Sequence, residues 1–214
     1  MTAERPIYVC QHADRVPPLE GELSGSVWEA AAEIESAFHL VGTTSERSRS
    51  YLSARALWDE EALYVAFDSD PSPVPVTKCR RDEDLFNECA VEVFLMAGGG
   101  YYEIEVNPLG AVLDLYFPDV VEQDWQAMAE YDVAGLRWTV SEIAGGGRWS
   151  TRLAIPWSGI PEVSRGEREG QSCVFGNLAR SQMLPNGEYD LTSWTPTRES
   201  FCEPEAMGTL VLAP

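Results

Sequence analysis

An all-β fold, an antiparallel β-sandwich of about ten strands with one short N-terminal helix, is predicted by three features of this 214-residue chain. Apolar residues recur with a period of two through most of its length. In Tyr101 to Val106, for example, Tyr102, Ile104 and Val106 share one face while Tyr101, Glu103 and Glu105 share the other. Turn signals such as Asn107-Pro108-Leu109-Gly110 and Asn186-Gly187 recur at intervals of about eight to twelve residues. Only Ser26 to Leu40 shows helical spacing, through Trp28, Ala31, Ala32, Glu35 and Phe38, and it offers two turns.

The elements follow in order. Residues 1–20 place Pro6, Pro17 and Pro18 around Ile7-Tyr8-Val9-Cys10, which reads as an edge strand or a lead-in segment. Residues 21–214 then form one domain, without a linker or an internal repeat. Tyr51 to Leu57 and Leu63 to Phe67 flank the polar turn Asp59-Glu60-Glu61 and predict a hairpin. Pro71, Pro73 and Pro75 mark a loop, because proline cannot serve a central strand. Ala90 to Leu95, Tyr101 to Val106 and Ala111 to Phe117 are joined by Gly98-Gly99-Gly100 and by the Asn107 turn, an antiparallel meander. Leu136 to Ile143 and Arg148 to Ile155 flank Gly145-Gly146-Gly147, a second hairpin. Ser172 to Ser181 and Gly208 to Leu212 complete the set.

Composition narrows the partners. Thirty-five acidic residues against fifteen basic ones give a formal net charge of -20 and a pI near 4.3. Lys78 is the single lysine, and no basic cluster exists to neutralise phosphates, so neither nucleic acid nor an anionic membrane is an expected partner. No stretch approaches the roughly 18 to 20 apolar residues of a membrane span. Met1 to Pro6 lacks an apolar export core, so a cytoplasmic protein is expected from the chain as written, and an extracellular one if a signal has been removed. Cys10, Cys79, Cys89, Cys173 and Cys202 are widely spaced with no C-x-x-C pair, which predicts free thiols.

No catalytic signature is present. His12 and His39 have no partner at a metal or triad spacing, and neither a G-x-S-x-G elbow, a P-loop nor H-E-x-x-H occurs. Asp68-Ser69-Asp70 and Asp82-Glu83-Asp84 offer hard oxygen ligands for calcium, or are solvated acidic loops. Trp58, Trp138, Trp149, Trp157 and Trp194 fall at strand ends or turns. Each is either a core residue or a flat apolar platform of the kind that the C–H face of a sugar ring requires.

A set of motifs in fixed order carries a resemblance. Gly21 to Trp28, Ala56-Leu57-Trp58-Asp59-Glu60-Glu61-Ala62-Leu63-Tyr64-Val65-Ala66-Phe67 and Val91-Glu92-Val93-Phe94 resemble the opening half of family 9 carbohydrate-binding modules. Trp149-Ser150-Thr151-Arg152-Leu153-Ala154-Ile155-Pro156-Trp157 is similar to that family's W-x-x-E-x-A-I-P-W strand, with Arg152 where an acidic residue is commoner. Phe175-Gly176-Asn177-Leu178-Ala179-Arg180 resembles its G-x-N-x-x-R segment, and Pro204 to Leu210 its closing P-x-x-F-G-x-L strand, with Met207 in place of phenylalanine.

The resemblance implies a non-catalytic β-sandwich that binds sugars such as xylan and cellulose chains, with structural calcium as an expected companion. It places the two aromatic residues that clamp the terminal sugar at Phe86 and Phe201, and a hydroxyl acceptor at Glu92. Glu105 stands where the family has an arginine and Arg198 where it has an asparagine, so the hydroxyls that are read would change. Asn107 and Trp194 are further expected contacts. The sequence leaves two alternatives: a subunit of a carbohydrate-degrading enzyme, and a haem or small-ligand domain of the related DOMON-like group. Haem would need an axial methionine with histidine or lysine. The net charge favours neutral over acidic saccharides.

Overall fold

The computed structural model of the chain describes residues 5–21, 23, 25–34, 38–42, 48, 50–120, 124–143 and 147–214. Thirteen strands are formed by these residues: β1 (Ile7–His12), β2 (His39–Leu40), β3 (Leu52–Trp58), β4 (Ala62–Ser69), β5 (Cys89–Ala97), β6 (Gly100–Val106), β7 (Val112–Phe117), β8 (Arg137–Glu142), β9 (Trp149–Pro156), β10 (Arg165–Arg168), β11 (Gln171–Gln182), β12 (Thr192–Ser193) and β13 (Gly208–Ala213). A single α-helical turn, α1 (Trp125–Met128), follows β7.

The main path of hydrogen bonding runs β7-β6-β5-β11-β13-β1-β3-β4-β9-β8. This continuous sheet curls until its two halves face each other as a sandwich. Val91, Val93 and Leu95 of β5 and Tyr102 and Ile104 of β6 share one core with Leu63, Val65 and Phe67 of β4 and Leu153 and Ile155 of β9. The meander β5-β6-β7 and the hairpins β3-β4 and β8-β9 are antiparallel, as their short turns require. In the last hairpin the Ile143 amide donates to the Arg148 carbonyl, and Gly145 and Gly146 lie outside the described residues.

Two expectations need correction. The segment Ile7–His12 is neither an edge strand nor a lead-in: it lies between β13 and β3, parallel to both, with Tyr8 and Cys10 buried. A sheet closed by parallel contacts between the two ends of a chain leaves no local turn signal to read. The helix expected over Ser26 to Leu40 is a single 3-10 turn, Val27–Ala30, capped by the Ser26 hydroxyl. Ala31 is already extended, Ile34 bridges Ala54, and His39–Leu40 is strand, while Glu35 lies outside the described residues. Trp28 holds this turn down, fully buried, with its indole N–H donating to the Pro18 carbonyl at 2.9 Å. All five cysteines are free thiols.

Candidate binding site

The outer face of the β7-β6-β5-β11 half carries a built cavity. Strand alternation turns Ala90, Glu92 and Phe94 of β5, and Tyr101, Glu103 and Glu105 of β6, away from the main core. Register then sets Glu92 opposite Glu105 and Phe94 opposite Glu103. On its other side β5 pairs with β11, where Ala179 faces Glu92 and Ser181 faces Ala90.

Two loops raise walls over this floor. The first holds Phe86 in the 3-10 turn Leu85–Asn87, anchored by buried Leu85, by an ion pair between Lys78 and Asp84, and by an Asn87 amide that donates to Asp84 at 2.6 Å. The Phe86 ring meets Trp125 of α1 edge-on, centroids 5.6 Å apart. The second loop runs from Ser193 to Glu203. Asn177, wholly buried in β11, donates to the Phe201 carbonyl and to the Ser193 hydroxyl at 2.8 Å each, and accepts from the Thr195 amide at 3.1 Å. A Glu203 carboxylate oxygen gathers the amides of Arg198 and Glu199 at 2.7 and 2.6 Å. The ring that this loop delivers, Phe201, lies 5.8 Å from Phe94.

Between the walls is a cavity of about 360 Å³, within the range of small-molecule sites. Phe86, Phe94, Tyr101 and Phe201 supply its apolar surface, and Glu92, Glu103 and Ser181 its polar one. Glu105 is set back from the lining and wholly buried, yet carboxylate oxygens of Glu92, Glu103 and Glu105 lie within 4.8 Å of one another. Unit charges 4 Å apart repel by about 4 kcal/mol at an effective dielectric constant near 20. Burial raises all three carboxyls above their usual range; the Glu103 charge adds to the rise at Glu92, and the Glu92 and Glu103 charges to that at Glu105. The three are therefore not all ionised at neutral pH while the cavity holds no cation.

Phe86, Glu92 and Phe201 are thus brought to one cavity, with Glu105 directly behind it. Three other expected contacts stand elsewhere. The Asn107 side chain builds the turn after β6: its oxygen accepts from the Leu109 and Ala111 amides and its NH₂ donates to the Lys78 carbonyl. Trp194 is core, buried against Tyr8 at a ring separation of 6.5 Å, in a space that the missing side chain of Gly208 leaves open. Arg198 is exposed at the base of the Phe201 loop, outside the cavity lining. Glu103, Asn177 and Glu203 are not among the expected site residues. Alternation with Glu105 marks Glu103 and the G-x-N-x-x-R motif marks Asn177, whereas nothing local marks Glu203.

Several carboxylates of the acidic runs have protein partners. Asp70 accepts from the Tyr51 amide and from Arg148, Asp84 meets Lys78, and Glu83 accepts from the Cys79 and Arg80 amides. Asp82, Asp114 and Asp132 converge, but on the Arg81 guanidinium. The axial pair expected for haem, methionine with histidine or lysine, is not found among the cavity's described lining residues.

The fold and the walled outer face define a β-sandwich with a built cavity on the outer face of one half. Solved structures share this fold. A protein from Bacteroides uniformis ATCC 8492, assigned by inference to carbohydrate binding, superposes with a TM-score of 0.71 at 19% identity, over 97% of this chain and 98% of that one. A family 9 carbohydrate-binding module from Caldicellulosiruptor kristjanssonii, in complex with cellotriose, gives 0.62 at 14% identity over 97% and 93%. The same organism's family 9 module in complex with glucose gives 0.62 at 12% over 97% and 95%. No family model matches the sequence. No curated protein matches it significantly.

Proposed function

We propose that this protein binds saccharides without transforming them, at the cavity between Phe86 and Phe201. The observation that carries the reading is the pairing of two aromatic walls, from separate loops, over a floor of strand carboxylates. A pyranose presents an apolar C–H face and a polar rim, and this cavity offers a partner to each. Carboxylates accept hydroxyl protons, whereas a sugar carrying its own carboxylate would meet Glu92, Glu103 and Glu199 of the lining. The ligand is accordingly a saccharide without negative charge, and cello- and xylo-oligosaccharides are the first class to try, since the solved neighbours hold cellotriose and glucose.

Calorimetric titration with glucose, cellotriose and xylotriose tests this directly. At least one should bind, and Phe201→Ala should weaken it tenfold or more while keeping a cooperative unfolding transition. Incubation with aryl glycosides and xylan should release no reducing sugar. Absence of binding by the wild type across these sugars would remove the reading.

A further inference from the structure

The floor of the cavity holds more negative charge than a neutral sugar can use. Glu92 and Glu105 are 1% and 0% exposed; beside Glu92 stand the Ser181 side chain and amide, and beside Glu105 the Glu103 carboxyl and the Phe86 backbone, none of which gives Oε1 of Glu92 or either Glu105 oxygen a hydrogen bond of full geometry. Ser181 Oγ, from the neighbouring strand, lines the same cavity, is buried, and makes no hydrogen bond of full geometry either. Buried polar atoms are nearly always satisfied in folded proteins, so Glu92 Oε1 and Ser181 Oγ, which line the cavity from two strands, are atoms that a ligand there would complete, with Glu105 behind them adding to the negative potential. Among the described residues of the lining there is no lysine, arginine or histidine to offset the charge.

A sugar hydroxyl would satisfy one or two of these oxygens but would leave the mutual repulsion in place. A positive charge removes both deficits at once. The cavity volume of about 360 Å³ far exceeds that of a bare ion, and its walls are the faces and edges of Phe86, Phe94, Tyr101 and Phe201. Aromatic walls next to buried carboxylates favour an organic ammonium, which gains from the ring quadrupoles as well as from the anions.

We infer that the preferred ligand is a cationic amino sugar, a pyranose or short oligosaccharide with a free ammonium group. Its ammonium donates to Glu92 and Glu103, with Glu105 behind them supplying a third negative charge, while its C–H face rests on Phe86 and Phe201. The inference rests on the saccharide-binding reading above and narrows it to one ligand class.

Titration calorimetry at pH 7 with D-glucosamine, D-galactosamine, their N-acetyl forms and the parent D-glucose and D-galactose separates the two claims. At least one amino sugar should bind ten times or more tighter than both its parent and its N-acetyl form. The N-acetyl form keeps the ring and loses only the charge. Glu105→Gln, and independently Glu92→Gln, should cut that preference to threefold or less. A circular-dichroism spectrum and a cooperative melting transition like those of the wild type certify the fold of each variant. If a parent sugar binds as well as its amine, the ammonium site is wrong and saccharide binding stands. If neither kind of sugar binds, the ammonium site falls, and the cellotriose and xylotriose titrations decide the saccharide reading. Parent-sugar binding that needs added calcium chloride and is abolished by a chelator would show that the carboxylates serve a metal ion, and would overturn the ammonium site.

Discussion

Glu92 of β5 and Glu105 of β6 stand directly opposite each other in an antiparallel pair, on the same outward face and both almost wholly buried. Two like charges at opposed positions of a sheet are destabilising. Here a third, Glu103, lies within reach of both. The arrangement costs stability and persists at the floor of the one cavity that two separate loops are built to wall.

The cost should be visible as a pH dependence. Unfolded glutamates titrate near 4.3, about where solvent leaves them, and the native three titrate higher because burial and their neighbours oppose ionisation. Between the unfolded and the native values the native state therefore holds more protons, and stability falls as pH rises. Glu83, held below its usual range by the Arg80 amide and guanidinium, acts the other way but only below about pH 4.3. The ligand-free protein should melt several degrees lower at pH 8 than at pH 5.5. Glu105→Gln should melt higher than wild type at pH 8, with most of the difference gone at pH 5. An equal shift at both pH values would mean that the cluster is not the cause.

Phe86 and Phe201 differ in what supports them, and their variants should differ accordingly. Phe86 packs on Trp125 and on the Leu85 turn, while Phe201 rests on Phe94 and projects from a loop held by Asn177 and Glu203. Phe201→Ala should remove a wall and a tilted ring contact with Phe94, weakening saccharide binding at least tenfold with a smaller loss of stability than at Phe86. Phe201→Trp should retain it. Phe86→Ala should weaken binding as well, with an added loss of about 1 kcal/mol of stability from the broken edge-to-face contact with Trp125. Chemical denaturation beside calorimetry distinguishes the two.

Much of this was legible in the sequence because strands encode one bit per residue. Alternation in β5 and β6 places Glu92 and Glu105 on the face opposite the core, and the same rule marks Glu103. It does not say that the three carboxylates meet, which follows only from the register that pairs Glu92 with Glu105 and Phe94 with Glu103. Phe86 and Phe201, 115 positions apart in the chain, reached the site through the ordered motifs rather than through any local pattern. Trp194 was misread because its neighbours are turn residues, while its burial depends on Gly208 and Tyr8, which no spacing connects to it. The 3-10 turn at Val27–Ala30 mimics a helix in periodicity and stops once Trp28 has been buried.

Asn177 is a positioning residue rather than a contact. Its side chain ties β11 to the Phe201 carbonyl, the Ser193 hydroxyl and the Thr195 amide, and it is completely buried. Asn177→Ala would leave those groups without their partner, at about 1–3 kcal/mol for each buried group that water cannot reach. Binding should weaken together with stability, and amide exchange in residues 193–202 should accelerate more than in β5. Asn177→Asp keeps the oxygen for the Thr195 amide but loses both donated bonds, so it should recover only part of the loss.

Gly176, one residue before Asn177, accounts for the glycine of the same motif through space rather than conformation. A Cβ built there would stand 2.2 Å from the Phe94 carbonyl oxygen and 3.2 Å from Leu95 Cδ2. The first of these is backbone, which cannot swing aside as a flexible side chain would. Gly176→Ala must therefore push β11 away from β5 where the pair supports Phe94, the ring on which Phe201 rests. Overpacking of this kind costs about 1–3 kcal/mol, and a backbone clash belongs at the upper end. The variant should melt several degrees below wild type, and its saccharide affinity should fall although Gly176 is not itself a residue of the cavity lining. Gly187→Ala is the matching control: its Cβ would meet nothing within 4 Å, so any loss there reflects only the strain of a positive φ in an exposed turn. Binding should survive in that control and weaken in Gly176→Ala, and equal affinities in the two would separate the β5–β11 spacing from the site.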